Sequence, residues 1–471
     1  MLGLMHLKPL PLALLAALPT RGWAHRAAPS RALLRQASAT DRLPPCGGDG
    51  RQARGGFFGR ILTALGILSS FLLAQPAAAV DKAAVEAQFQ AWLQKTVWPE
   101  AEKNKVPRAT FDAAFKGVTL NWSLPDLVAP GEKPPEEQKQ SQAEFSTPGP
   151  YFDEKKIAPL ALKGQQIKAQ RMSLLARLEK TYGVPGEIVL ALWGRETGFG
   201  AAASPYSAMQ VLSTKAFMST RKDLFLKELI AALQISAQDK IDPKAMKSSW
   251  AGAMGQPQFM PSSFLQYAVD FDGDGKVDIW NSVPDALASI ANYMAQKGWQ
   301  RGRGWGVEAN IPDSVSCAQE GPDLARPISK WVAAGVTRID GKPFSASELK
   351  ADGLMMMPAG RFGPDFIVTP NFYVLKEYNN SDLYALYVGN LADRIANSHA
   401  GAFAGKWGDV GKMLRSDVQA MQEALVKKGY DVGKVDGLPG YKTRRSIGDF
   451  ETKNGLKQTC YPDATLKSKL K

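Results

Sequence analysis

Apolar residues recur at spacings of three and four along most of this chain, the pattern of helices that turn one face to a core. From Lys82 to Phe115 it places Val85, Phe89, Trp92 and Leu93 together. It resumes from Lys163 to Gly200, where Leu174, Leu175, Leu178 and Tyr182 share a face and Pro185 opens the next helix at a favourable early position. Between them, residues 129–150 are polar and Pro-rich and predict a surface excursion. From Gly302 to Pro370 the pattern changes to Gly, Pro and short β-prone pieces such as GVTRI and DFIVT, which predicts a small β insertion over about 302–370. Helical runs return after Asn371 in NFYVLKEY and LYALYVGNLADRIA. The fold class is therefore mainly α, of α+β type.

A Gly-rich stretch at 400–412 divides this body, residues 80–400, from a last module at 411–471, with 401–410 read as the linker. In that module Leu414, Val418, Met421 and Leu425 give one helical face, and Ile447 and Phe450 mark a second helix. About 60 residues suffice for a small three-helix unit. At the other end, residues 1–79 read as a leader. Residues 57–79 carry Arg60, an apolar run from Ile61 to Ala74, and small residues ending at Ala79, the layout of a secretory signal peptide. The run of about 14 residues is short for a membrane span. No Cys follows it, so the expectation is an exported protein without a lipid anchor and without a membrane span once the leader is removed. Residues 1–56 resemble either an organelle transit sequence or translation from a start placed too far upstream.

Composition narrows the chemistry. Net charge is +13, but residues 1–60 hold nine Lys or Arg against Asp41 and Asp49, so the body is only moderately basic. Basic runs of the nucleic-acid type are absent, and no nucleic-acid partner is expected. Of the three His, only His399 lies beyond the leader, which leaves no ligand set for a zinc hydrolase and a single imidazole for any triad. Cys46, Cys317 and Cys460 show no metal or redox spacing, and whether Cys317 and Cys460 pair stays open.

Two segments carry candidate chemistry. In VPGEIVLALWGRETGFG (184–200), Ile188, Val189, Leu190, Leu192 and Trp193 make a helix apolar nearly all round, so it is buried. Glu196 falls on its apolar side at the end, before Gly198 and Gly200. A carboxyl there either loses solvation and becomes a general acid or pairs with Arg195. The second segment, 248–299, opens with a Gly/Pro-shaped loop, Gly252 to Pro261, whose Gln and Phe side chains suit sugar hydroxyls and ring faces. Ser262 or Ser263 would cap the helix behind it. Asp270-Phe271-Asp272-Gly273-Asp274-Gly275 then fits the first half of an EF-hand calcium loop, with Asn281 where a bidentate Glu would stand and Asp285 placed to close the shell.

The pairing of ALWGRETGFG with SSWAGAMGQPQFMPSS, the calcium-type loop directly behind it, and YNNSDLYALYVGNLADRI (378–395) resembles the lytic murein transglycosylase B family over roughly residues 85–400. The resemblance implies a lysozyme-like helical core with a helical domain and a small β-domain. It also implies cleavage of peptidoglycan glycan strands between N-acetylmuramic acid and N-acetylglucosamine in a Gram-negative periplasm. Glu196 would be the single catalytic acid/base, forming a 1,6-anhydromuramic product. Ser249, Gln258, Phe259, Tyr293, Tyr378, Asn379 and Tyr384 would line the groove. Asp270, Asp272, Asp274 and Asp285, with the Lys276 carbonyl, would hold a structural Ca2+, and no organic cofactor is implied. The tail resembles a peptidoglycan-binding domain, although Gly448 inside its second helix departs from the usual pattern. A hydrolytic muramidase and a non-catalytic wall-binding scaffold are the competing readings.

Overall fold

The structure, a computed structural model, describes residues 80–133, 148–202, 204–239, 241–411 and 413–470. The leader and the middle of the polar excursion lie outside the described residues.

One large core joins the helices from Lys82 to Ala396. Its centre is the Gly186–Thr197 helix, where Val189, Leu190, Ala191 and Leu192 are fully buried. Such a helix is stable only when wrapped, and it packs against the Glu154–Gln170, Met172–Tyr182, Val283–Gln296 and Asp382–Ala396 helices. Pro185 occupies the N-cap, and the helix proper begins at Gly186. At the far end Gly198 adopts the left-handed conformation, φ 59°, and Phe199 folds back so that its ring lies where a Cβ on Gly194 would stand. The chain therefore turns immediately after Glu196.

One local expectation is corrected. Neither Ser262 nor Ser263 caps the helix after the Gly/Pro loop; it starts at Pro261 with Met260 at the cap. Proline's fixed φ suits the first helical turn, and Glu228 of the Lys222–Gln238 helix supplies the acceptors, taking the Ser262 amide at 2.9 Å and its hydroxyl at 2.8 Å.

The insertion forms a five-stranded antiparallel sheet in the order Arg326–Pro327, Asp352–Met356, Asp365–Val368, Gly306–Asn310, Thr337–Arg338. Its own core contains Trp331, Val336, Met355 and Met357 and includes Cys460 from the far end of the chain. Cys317 and Cys460 are joined by a disulfide, which answers what spacing left open.

The last module contains the Arg415–Lys427, Tyr441–Lys453 and Ala464–Lys469 helices around Val418, Met421, Leu425, Ile447, Phe450 and Leu466. Buried Gln422 ties its turns, accepting from the Asp436 and Gly437 amides and donating to the Leu438 carbonyl and Thr443 hydroxyl. The 401–410 segment is packed against the body: Trp407 stacks on Phe152 at 5.0 Å, and Glu308 accepts from the Ala404 and Gly405 amides.

Candidate active site

Glu196 comes to the end of its helix with 7% exposure. The Tyr384 hydroxyl, from the first turn of the Asp382–Ala396 helix, donates to its Oε1. That turn is fixed by Ser381, whose hydroxyl accepts from the Tyr384 amide at 3.3 Å. Burial pushes the Glu196 carboxyl up to about 7, against the smaller opposing pulls of the Tyr384 hydrogen bond and the Arg195 charge. The group is thus poised to hold a proton and to release it near neutral pH.

Arg195 does not pair with Glu196. Its guanidinium lies 4.7 Å from the Tyr387 ring centre and 5.3 Å from that of Tyr151, and its Nη2 donates to the Tyr151 hydroxyl at 3.1 Å. Held this way, it contributes positive potential without neutralising the carboxyl by a direct bond. Among the described residues no second carboxylate acts on Glu196.

The Gly/Pro loop is bound to the end of the Gly186–Thr197 helix. Thr197 donates its hydroxyl to the Gln256 carbonyl at 3.1 Å, and the Trp193 indole donates to the Gln256 side chain at 2.9 Å. Met254 and Phe259 exchange amide hydrogen bonds at 2.7 and 3.0 Å, closing a tight hairpin. Gly255, at φ 64°, has no room for a Cβ beside Ile279. Gln258 is held at φ 55° with its side-chain nitrogen given to the Gly255 carbonyl and Ser204 hydroxyl, while its Oε1 is buried without a partner among the described residues. A non-glycine residue in that conformation is strained, as at many ligand-facing positions.

The remaining expected groove residues gather here, more deeply than their types suggest. Phe259, Tyr293 and Tyr378 form one aromatic cluster with centroids 5.0–5.9 Å apart. The Tyr378 hydroxyl is given to the Pro257 carbonyl and that of Tyr293 to the Glu377 carbonyl, both at 2.6 Å. Ser249 accepts from the Ala251 and Ala253 amides, and Asn379 accepts from Ser381. Of these, Tyr378 acts on Glu196, and the others are held by bonds among themselves and to the Gly/Pro loop. Tyr151 and Tyr387 join the site without having been singled out; Arg195 and Trp193, read from sequence as a pairing cation and an apolar helix residue, take other roles here.

The acidic loop gathers Asp270, Asp272 and Asp285, one oxygen of each lying within 4.8 Å of the others. Asp285 is fully buried, accepting from the Phe271 amide at 2.8 Å and the Asp278 amide at 2.9 Å. Asp274 lies outside that group, its carboxylate turned to the Lys276 amide at 2.8 Å. An all-oxygen, multiply anionic set suits a hard divalent cation such as Ca2+.

Comparison with known proteins supplies the family. The transglycosylase SLT domain family matches residues 88–393, and a peptidoglycan binding domain family matches residues 415–470. The membrane-bound lytic murein transglycosylase B of Escherichia coli is 37% identical over 225 residues, 47% of this chain and 60% of that protein's length. SltB3 from Pseudomonas aeruginosa, solved in complex with NAG-anhNAM-pentapeptide, superposes with a TM-score of 0.71 at 35% identity, covering 81% of this chain and 99% of that one. The soluble lytic transglycosylase SltB1 of the same organism gives 0.51 at 32% identity, covering 68% of this chain and all of that one.

Proposed function

This chain belongs to the transglycosylase SLT domain family, and from that premise we propose that it is a lytic transglycosylase that cleaves peptidoglycan strands with Glu196 as its one acid/base. The observation that carries the reading is a buried carboxyl raised to about 7 with no second carboxylate among the described residues acting on it. Ordinary glycosidases need two such groups, one acid and one nucleophile or base. Here Glu196 gives its proton to the glycosidic oxygen, the C1–O bond breaks, and its electron pair leaves with that oxygen. Glu196, now a carboxylate, takes the proton of the muramic C6 hydroxyl while that oxygen bonds to C1. One bond breaks, one forms, the proton count is restored and no water enters.

Tyr384 serves both halves of this cycle. Its hydrogen bond stabilises the carboxylate after the first proton transfer and leaves Oε2 for the reacting proton. Arg195 adds positive potential that keeps the pKa near neutral instead of higher. Ser249, Gln258, Phe259, Tyr293, Tyr378 and Asn379 shape the glycan groove, the orphaned Gln258 Oε1 being a ready acceptor for a sugar N–H or O–H.

In this reading Asp270, Asp272 and Asp285, with Asp274 and the Lys276 carbonyl from the same turn, hold Ca2+. The ion would supply no chemistry there; the residues that would hold it come from the loop after Tyr267 and from the start of the Val283–Gln296 helix. The protein works in the periplasm after export, with residues 411–471 as a wall-binding module. Among the described residues no helix is long and apolar enough to cross a membrane.

The test is release of soluble muropeptides from purified sacculi, with pull-down of the sacculi measured in parallel. The wild type releases product, whereas Glu196→Gln binds equally and releases none. Equal release by the variant would remove Glu196 from the role, and binding without release by both would leave a wall-binding scaffold.

A further inference from the structure

The last module docks on the body through a buried ionic cluster. Arg444, on the Tyr441–Lys453 helix, is 3% exposed and donates to both oxygens of Glu320, at 2.9 and 2.5 Å; Glu320 is fully buried in the β insertion. The same Nη2 donates to Asp382 Oδ2 at 3.0 Å, and Nη1 donates to the Pro439 carbonyl of its own module at 2.8 Å. Asp382 takes a second cation, Lys376, on Oδ1 at 2.5 Å. The Tyr373 hydroxyl is also buried, without a partner.

Three glycines show that this docking is built into the sequence. A Cβ on Gly448 would collide with the Cys460 sulfur and meet Ala318, one on Gly321 would strike Arg445 and Tyr441, and one on Gly360 would strike the Thr459 carbonyl. Gly448 thus has a physical reason: the helix lies directly on the disulfide.

Asp382 is the first residue of the helix whose third residue is Tyr384. Its carboxylate at the N-terminus is held from two sides, by Lys376 from the body and by Arg444 from the last module. We infer that Arg444 is a positioning residue for the catalytic pair: by clamping Asp382 it fixes the first turn that aims the Tyr384 hydroxyl at Glu196. The last module is then part of the active-site support as well as a wall-binding unit. This inference rests on the assignment of Glu196 as acid/base, but its first test needs no turnover.

The titratable groups around Glu196 are Arg195 on its own helix, Tyr384 and Tyr387 on Asp382–Ala396, Tyr378 on Pro370–Tyr378, Tyr293 on Val283–Gln296, Tyr151 on Gly149–Phe152 and Lys163 on Glu154–Gln170. Arg444 is not among the charges that act on Glu196 directly. Its removal reaches that carboxyl through Tyr384, whose hydrogen bond holds the pKa down.

The experiment follows the Glu196 carboxyl by carbon-13 NMR, assigned by its loss in Glu196→Gln, across pH in the intact protein. Arg444→Met moves its titration upward, in the same direction as Tyr384→Phe, and Arg444→Lys restores part of the shift. Arg445→Met, which breaks the neighbouring ion pair with Asp323 at 2.6 Å in the same interface, leaves it in place. In sacculus digestion Arg444→Met lowers kcat on the order of 10-fold with little change in KM, and Arg444→Met with Tyr384→Phe together is no slower than Tyr384→Phe alone. An unmoved titration in Arg444→Met, an equal shift in Arg445→Met, or additive losses in the double variant would each overturn the inference. Absence of turnover in the wild type would instead refute the proposed activity and leave the titration result to be read by itself.

Discussion

Glu196, buried, and Asp382, partly buried, are two carboxyls on either side of one tyrosine, and they are driven in opposite directions. Burial lifts Glu196 to about 7, because among the described residues its carboxyl bonds directly to a neutral phenol alone and Arg195 is engaged with Tyr151. Burial opposes ionisation of Asp382 too, yet Lys376 and Arg444 bonded to it hold it at about 2. Desolvation is common to both; the partners decide the charge. One group is left able to exchange a proton, and the other is a permanent anion that anchors the turn between them.

The largest break in that contrast is Glu196→Gln, which removes the proposed proton carrier and takes muropeptide release below detection, a loss of more than roughly 10²-fold. The same variant has a pH-dependent stability. A carboxyl with a raised pKa favours folding below its ordinary value of 4.5, and that contribution is lost as pH rises through about 7. Glu196→Gln therefore melts higher than wild type at pH 8 and equally at pH 4, as thermal denaturation will show.

Asp382→Asn inverts the other half. Leaving Lys376 without its anion and Arg444 with Glu320 alone costs about 3–5 kcal/mol near neutral pH by denaturant unfolding. Here the folded pKa is depressed, so the stabilisation is present above about 3.8 and fades as pH falls through about 2. Wild type and variant converge in acid. Tyr384→Phe sharpens the contrast from the centre, lowering kcat by about tenfold and moving the basic limb of its pH profile upward.

A smaller effect concerns the acidic loop. Chelation by EDTA lowers the melting temperature, and added Ca2+ restores it, by about 2.7 kcal/mol at 100-fold excess over Kd. Asp285→Asn abolishes this response while leaving Glu196 able to titrate.

Much of this was legible in the chain. Periodicity marked the buried helix of Glu196, the clustering of Gly and Pro marked the hairpin around Gln258, and the alternation of Asp marked the acidic loop. Asp285 joins that loop from 15 residues beyond Asp270 because the Val283–Gln296 helix begins there and turns its first carboxylate inward. Long-range partners were not legible. Tyr151 follows a polar excursion with no periodic signal, and it reaches Arg195 only through the fold. Arg444 reads as one of several basic residues on a surface helix; nothing local shows that Glu320 lies 124 positions away across an interface. Gly448 did register as an irregularity, but its cause is the disulfide, which spacing alone left undecided. The stretch read as a linker packs on the body for a similar reason, since Trp407 finds its stacking partner in Phe152.

The central claim is that one carboxyl suffices because the substrate supplies its own nucleophile. Digestion of sacculi in water enriched in oxygen-18, followed by mass spectrometry of the released muropeptides, tests it directly. The account predicts products lighter than hydrolysed ones by about 18 Da, one water, and free of heavy oxygen at the muramic C1. Reducing-end products that carry the label would show that water attacks and would contradict it.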